Sequence, residues 1–487
     1  MAATPYMGVD SWYAYGAQIN DSVIREMADL VVVTGMRDAG YRYVWLDAGW
    51  PGGRNTDGSL ALNGAQWPHG LSGVCDYVHS QGLLAGIYID AGPSTRQAFG
   101  SYGHYQQDAD TFAAWGFDAV KADFVSGGPA ALDPHVVYPQ FASAVKGNAS
   151  GRPMLLNVCN FWVPGQIDGT RPTPEDSSYC NYQWAPEVAH SWRTDTDIGM
   201  DRQTTWPWII RNVDHNCTHP EAAGPGHWND PDYIVPSSNL TYDQIKAYVS
   251  LWVVMAAPLM ISADLSIQPR NNLDLFTNRD AIRINQDSLG AQAKTAYRRG
   301  DQQVLVKPLA DRSVAVCVLN RGPSEQTITV TSSMIGLPAH PMSVHNVWRQ
   351  TTQTMRTISL RLAPTSCYLF RVSLTASPPV RSLRHQHEEP RLNVPFAPGA
   401  HSHNSGTHEG PPVSHIGRPH PSHPVCPHPT RTVGDDGTVT IAGILEEVHG
   451  SPDVLPERVR PKGEPTEESE SPTTGKGRRK GPKRRGR

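Results

Sequence analysis

Lys121-Ala122-Asp123 ends a short apolar run that starts at Ala119. Residues i and i+2 of a strand share a face, so Lys121 and Asp123 are expected to point the same way. A neighbouring ammonium favours the charged form of a carboxylate, which would keep Asp123 ionised and suit it to act as a nucleophile. A structural ion pair at a strand end fits the tripeptide equally well. Arg193-Thr194-Asp195-Thr196-Asp197 supplies a second carboxylate, four residues from an arginine. That spacing pairs on a helical turn; alternatively, the arginine orients hydroxyls while Asp197 serves as an acid. Alone, the segment favours a surface ion pair of little energetic worth. Gly224-Pro225-Gly226-His227-Trp228-Asn229-Asp230-Pro231-Asp232 is dense in turn residues and acids. It reads either as a loop gripping hydroxyl groups or as an ordinary acidic turn, and Trp228 beside carboxylates tilts it towards sugar.

The elements carrying these residues alternate. Asn20 or Asp21 can cap a helix whose apolar Val23, Ile24, Met27, Leu30 and Val31 recur at helical spacing, with Gly40 as a stop. Short apolar runs follow at Tyr43 to Leu46, Leu83 to Tyr88, Ala119 to Asp123 and Met154 to Val158. Helical stretches near Gln106 to Trp115 and Tyr138 to Lys146 separate the later ones. Short buried strands alternating with helices predict a parallel sheet. Polar residues at the strand C-terminal ends, such as Asp47 and Asp123, suit a (β/α)₈ barrel, which places its chemistry there. An open doubly wound sheet would show the same alternation, but no Gly-rich phosphate fingerprint favours it. The barrel is assigned residues 1–288. Residues 289–374 carry strand-like runs at Gln303 to Lys307, Ser313 to Leu319, Gln326 to Val330 and Thr357 to Leu360, and read as a small antiparallel β-sandwich.

Residues 375–487 are rich in His and Pro and nearly free of apolar runs, except Val439 to Leu445. Such a segment buries too little surface to offset its ordering entropy and reads as a disordered tail. Its basic end, Lys476 to Arg485, reads as a solvated charge run more readily than as a nucleic-acid site. The histidines lack regular metal-ligand spacing. A net charge of −4 over 487 residues predicts neither a nucleic-acid nor a membrane partner for the folded part. No run approaches the length of a membrane span. Seven cysteines show no CxxC metal pattern, and their odd number leaves one thiol without an intrachain partner. The first residues lack the basic and apolar regions of a secretory signal, which points to the cytoplasm if Met1 is the true start. The thirteen tryptophans all precede residue 350; by count they are core residues before they are sugar platforms. Strand-end carboxylates, interleaved Trp and no cofactor motif together point to glycoside chemistry. Retaining hydrolysis needs two carboxyls about 5–5.5 Å apart, one as nucleophile and one as acid then base.

The ordered set of motifs resembles glycoside hydrolase family 27, the clan D α-galactosidases. Met7-Gly8-Val9-Asp10-Ser11-Trp12 is similar to the family's MGWxSW opening, and Leu46-Asp47-Ala48-Gly49-Trp50 to its DDGW strand end. Gly86-Ile87-Tyr88 resembles the next strand. Lys121 to Asp123 matches KxD, Arg193 to Asp197 matches RxxxD, and Trp228 to Asp232 is identical to WNDPD. The resemblance spans residues 6 to 374. It implies a barrel, double displacement with retention, a carbohydrate substrate, and neither cofactor nor metal. It implies Asp123 as nucleophile and Asp197 as acid/base. Trp12, Asp47, Tyr88, Lys121, Arg193 and Asp232 would contact the sugar. It also implies a Cys159–Cys180 disulfide, hence an oxidising compartment and a secreted protein whose signal is missing from this chain. The oligomeric state is not legible.

Several positions depart from the family pattern. Val9 replaces a Trp, and Ala48 replaces the second acid of DDGW, removing a charge-assisted contact of about 1.5–3 kcal/mol. Val125 stands for a second disulfide cysteine, Asn160 for a Glu and Tyr233 for a Met, and the stretch from Cys180 to Arg193 is longer than usual. Both catalytic carboxylates remain. The departures make hydrolysis a firmer expectation than galactose as the glycone; an arabinopyranosidase, an N-acetylgalactosaminidase, an isomaltose-releasing dextranase or a non-catalytic carbohydrate-binding barrel are the alternatives.

Overall fold

The computed structural model describes residues 1–96, 98–159, 181–200 and 203–375, with two strands at Thr430–Val433 and Val439–Ala442. Eight parallel strands form one sheet: β1 (Met7–Asp10), β2 (Tyr43–Leu46), β3 (Leu84–Asp90), β4 (Ala119–Asp123), β5 (Leu155–Cys159), β6 (Ser191–Arg193), β7 (Trp228–Asp230) and β8 (Leu259–Ile261). Each of β2 to β7 pairs with its predecessor, and β8 returns to β1. Just beyond β7, Ile234 bridges to Ile261 in parallel, and its amide donates to the Met260 carbonyl at 2.8 Å. That bridge joins the last strands and curls the sheet into the expected barrel. β4 and β5 are buried at every residue because helices cover the outside and side chains fill the inside. Close strand approach uses small residues: a Cβ on Gly86 would meet the Trp45 ring at 2.2 Å.

Local signals set the helices. Asn20 Oδ1 accepts from the Val23 amide, so the helix Asp21–Val33 begins where its cap predicts. It stops at Val33, and a short turn, Met36–Ala39, runs on to Gly40, whose φ of +119° suits glycine. Asp133 caps Pro134–Lys146 with Pro134 in its first turn, four residues before the apolar periodicity became visible. Thr241 and Gln244 form a reciprocal capping box on Tyr242–Val254.

The second layer system is antiparallel. A six-stranded sheet holds Lys294–Arg299, Gln302–Pro308, Val314–Asn320, Ser366–Leu374, Met342–Asn346 and Thr351–Met355 in spatial order, and Gln326–Thr331 pairs with Thr357–Leu362. Val314–Asn320 shows why its central strand lacks polar alternation. Val316 and Val318 join the sandwich core, while Ala315, Cys317 and Leu319 join the barrel core. The helix Tyr242–Val254 is sandwiched by this second face. Trp348 Nε1 donates to Ser250 Oγ at 3.0 Å, and Arg321 pairs with Asp214 at 2.5 Å, tying the two together. Within 375–487, Val439–Ala442 pairs antiparallel with Thr430–Val433, so part of the apolar run is a strand. The remainder of that segment lies outside the described residues. Among the described residues no helix is long and apolar enough to cross a membrane.

Candidate functional site

The predicted catalytic and sugar-contacting residues come from the C-terminal ends of six barrel strands and the loops just beyond them. Asp47 follows β2, Tyr88 lies near the end of β3, and Lys121 and Asp123 close β4. Arg193 ends β6, and Asp197 and Asp232 lie in the loops after β6 and β7. Trp12 opens a short helix directly after β1 and is half-buried.

Asp123 is held at both oxygens. Tyr88 Oη donates to Oδ2 at 2.7 Å, and the Phe124 amide donates to Oδ1 at 2.8 Å. Lys121 shares its face, as the alternation of a strand requires, but its direct ion pair is elsewhere. Lys121 Nζ lies 2.8 Å from Asp47 Oδ2, packed over the Tyr88 and Tyr233 rings at 5.3 and 4.6 Å. The expectation that Lys121 keeps Asp123 ionised is therefore corrected. Burial outweighs the ammonium, and with the Asp90 and Asp197 charges it pushes the Asp123 carboxyl up to about 7.

Arg193 organises the opposite wall. Its Nη2 lies 3.2 Å from Asp197 Oδ1 and 3.1 Å from Asp232 Oδ2, and Nη1 donates to Cys159 Sγ at 3.4 Å. The guanidinium is buried and ends a strand, so the i,i+4 pair is neither helical nor the weak surface pair its spacing suggested. Asp197 is the exposed partner, with 45% of its side chain accessible. Asp232 is buried, and burial, opposed by Arg193, raises it to about 6. Its φ of +83° is unusual for a non-glycine residue. The conformation is held by the Asp232 amide donating to Asp230 Oδ1 and by Oδ2 accepting from the Ile198 amide. Strain of this kind is retained where a carboxylate must be aimed.

Trp228 is not a sugar platform. It lies on strand β7, fully buried, with Nε1 donating to the Ala2 carbonyl at 2.9 Å. Trp45, Trp50, Trp192 and Trp252 are likewise core residues. Cys180 and Asn160 lie outside the described residues, and with them the implied Cys159–Cys180 pairing. Sequence reasoning passed over Asp90, which accepts from the Ser126 hydroxyl at 2.5 Å and from the Gly92 amide, fixing the loop beyond Asp123. Its signal was its place at the end of β3, in register with Asp123. Asp10, buried at the end of β1, was read only as part of a motif. Among the described residues no group of three or more His, Cys, Asp or Glu side chains could hold a metal ion.

The raised carboxyls give a pH signature. If Asp123 must be anionic to react, kcat/KM rises with pH through a limb near 7 rather than near 4. The sign is opposite for stability. The folded state keeps on Asp123 a proton that the unfolded chain releases above about pH 4. Its contribution to stability is therefore lost as pH rises towards 7. Initial rates under subsaturating substrate, measured against pH, check the limb; a midpoint near 4 would contradict it.

A barrel presenting paired acids at its strand ends, with a β-sandwich against one helix, defines a class of carbohydrate-active enzymes, and comparison with known proteins narrows it. The family described as Alpha galactosidase A matches residues 8–287, and the Alpha galactosidase C-terminal beta sandwich domain matches residues 299–372. The chain belongs to the α-galactosidase family. It is 34% identical to an alpha-galactosidase of Cyamopsis tetragonoloba over 361 residues, covering 73% of this chain and 82% of that protein. It is 34% identical to the alpha-N-acetylgalactosaminidase of Homo sapiens over 332 residues, covering 64% and 76%. The crystal structure of alpha-galactosidase I from Mortierella vinacea aligns with a TM-score of 0.67 at 26% identity, over 77% of this chain and 98% of that one.

Proposed function

We propose that this chain cleaves terminal α-D-galactosyl residues from oligosaccharides or polysaccharides by double displacement, with Asp123 as nucleophile and Asp197 as acid/base. The observation that carries this reading is geometric. Cys159, in register with Asp123 across β5 and β4, touches the Arg193 guanidinium, which also holds Asp197, so both carboxyls belong to one cluster at the strand ends. Tyr88 and the Phe124 amide fix the Asp123 carboxylate for attack on the anomeric carbon. Asp197, the more exposed acid, gives its proton to the leaving oxygen as the glycosyl–Asp123 ester forms. It then takes a proton from the water that opens the ester, and the second inversion restores the α-configuration. Trp12 offers an apolar face to the ring. Asp47 with Lys121, and Arg193 with Asp232, bracket its hydroxyls as charge-assisted partners.

A second reading keeps the mechanism and changes the glycone. Tyr233 Oη lies 3.4 Å from Asp47 Oδ2, and Ala48 contributes only a backbone amide, donated to Asp47 Oδ1. Part of Asp47's hydrogen-bonding capacity is thus used within the protein. A relative described as an alpha-N-acetylgalactosaminidase shows that the family's glycones vary. Nitrophenyl α-D-galactoside, β-L-arabinopyranoside and α-N-acetylgalactosaminide separate the readings. The galactoside is expected to give the highest kcat/KM by about tenfold or more, the scale on which one substituent is discriminated. A higher value on either other glycone would replace galactose with that sugar.

A further inference from the structure

Asp10 takes no part in the displacement described above, yet it is a fully buried carboxyl at the floor of the same site. It ends β1, beside β2, which leads into Asp47. Oδ1 accepts from the Trp12 amide at 2.8 Å and from Ser262 Oγ at 3.2 Å. Oδ2 is buried and makes no hydrogen bond. The next residue, Ser11, accepts through Oγ from the Asp47 amide at 3.0 Å. Two consecutive side chains at the end of β1 therefore set two proposed sugar contacts, Trp12 and Asp47.

The protonation state of Asp10 follows from what surrounds it. Asp47 from β2, Lys121 from β4, Tyr233 from beyond β7 and Ser262 from beyond β8 face this corner. Lys121 supplies the positive charge there, and its ammonium lies 2.8 Å from Asp47 Oδ2. Tyr233 Oη also turns to Asp47 Oδ2. An ionised carboxylate accepts through both oxygens, and a buried charge without a partner gives up its charge instead. Burial and then the Asp47 charge raise the Asp10 pKa well above the ordinary carboxylate range, against Lys121, the Trp12 amide and Tyr233.

We propose that Asp10 is a positioning residue that works as the neutral acid and, together with Ser11, holds Trp12 and Asp47 in the geometry that binds the glycone. This role rests on the reading of the pocket as a glycosidase site. The neutral form leaves the Lys121 charge to Asp47; an anionic Asp10 would compete for that ammonium and draw it from the sugar-binding carboxylate.

The test compares wild type, Asp10→Asn and Asp10→Ala as full-length chains, by calorimetric titration with D-galactose and by infrared spectroscopy at neutral pH. Asparagine reproduces the shape and neutrality of the protonated acid, so Asp10→Asn is expected to bind galactose within about threefold of wild type. Asp10→Ala strands the Trp12 amide and is expected to weaken binding about tenfold or more. The wild-type spectrum minus that of Asp10→Asn should contain the carbonyl band of a protonated carboxylic acid, shifted in D₂O. Binding by Asp10→Asn as poor as that of Asp10→Ala would overturn the neutral role, and so would absence of the band. Galactose affinity retained by Asp10→Ala would overturn the positioning role. If Asp10→Ala does not fold, the asparagine variant and the band still decide. Failure of the glycosidase reading looks different: wild type would then neither bind galactose nor hydrolyse any glycoside of the panel, while the band still reports on Asp10.

Discussion

Asp123→Ala is expected to lower kcat/KM on the order of 10⁴-fold or more, the scale on which loss of a covalent nucleophile is felt, while the protein stays folded. The kinetic loss follows from the chemistry: without this carboxylate no glycosyl ester forms, and Asp197 alone has no group to balance the charge at the anomeric carbon. Folding survives because the side chain is a liability as much as a support. Its removal leaves Tyr88 Oη and the Phe124 amide without an acceptor, at about 1–3 kcal/mol for each buried donor. It also removes a carboxyl that burial holds near pKa 7. Added azide, a small anion that fits the space, should restore part of the turnover as a glycosyl azide of inverted configuration. Steady-state rates beside a thermal melt check both halves. A folded variant with wild-type activity would end the nucleophile assignment.

Asp197→Ala should separate substrates by leaving group. General acid catalysis is worth roughly 10²–10⁴-fold, and the need for it depends on the basicity of the departing oxygen. Glycosylation by a raffinose-type or galactomannan substrate, whose leaving group is an alkoxide, should fall by that factor. Glycosylation by a nitrophenyl glycoside, whose leaving group departs unaided, should fall far less, so the ester accumulates and a burst of nitrophenol appears. The variant strands no buried charge, because Arg193 keeps Asp232 at 3.1 Å and Asp197 is the exposed member of the trio. Equal losses on both substrates, without a burst, would contradict the acid role.

Much of the barrel was legible because its strands are short, apolar and bounded by turn residues. Tyr43–Leu46 and Ala119–Asp123 stand at the residues their patterns predict. Strands β6, β7 and β8 were hidden by their length of three residues, too short for any period to register. That is why Arg193 was placed on a helical turn and Trp228 on a loop. In the sandwich, Met342–Asn346 and Thr351–Met355 escaped notice because they lie towards the sheet edge. The outermost, Thr351–Met355, is almost wholly exposed and carries polar residues, so it lacks an apolar face to read. The site residues were legible as types and as an ordered set, but their partners were not. Lys121 sits two residues from Asp123 yet pairs directly with Asp47, 74 positions away, a choice made by the curvature of the barrel rather than by the strand. Asp10 was invisible as a functional residue for the same reason, since its role depends on Ser262, Asp47 and Tyr233 converging from three other strand ends.

The most direct measurement is peptide mapping by mass spectrometry after incubation with a slow 2-deoxy-2-fluoro galactosyl substrate, which forms the ester faster than it is hydrolysed. A single sugar adduct is expected on the peptide that contains Asp123, attached to that side chain. An adduct on another residue, or steady turnover of an unmodified protein that releases the β-anomer first, would contradict a double displacement through Asp123.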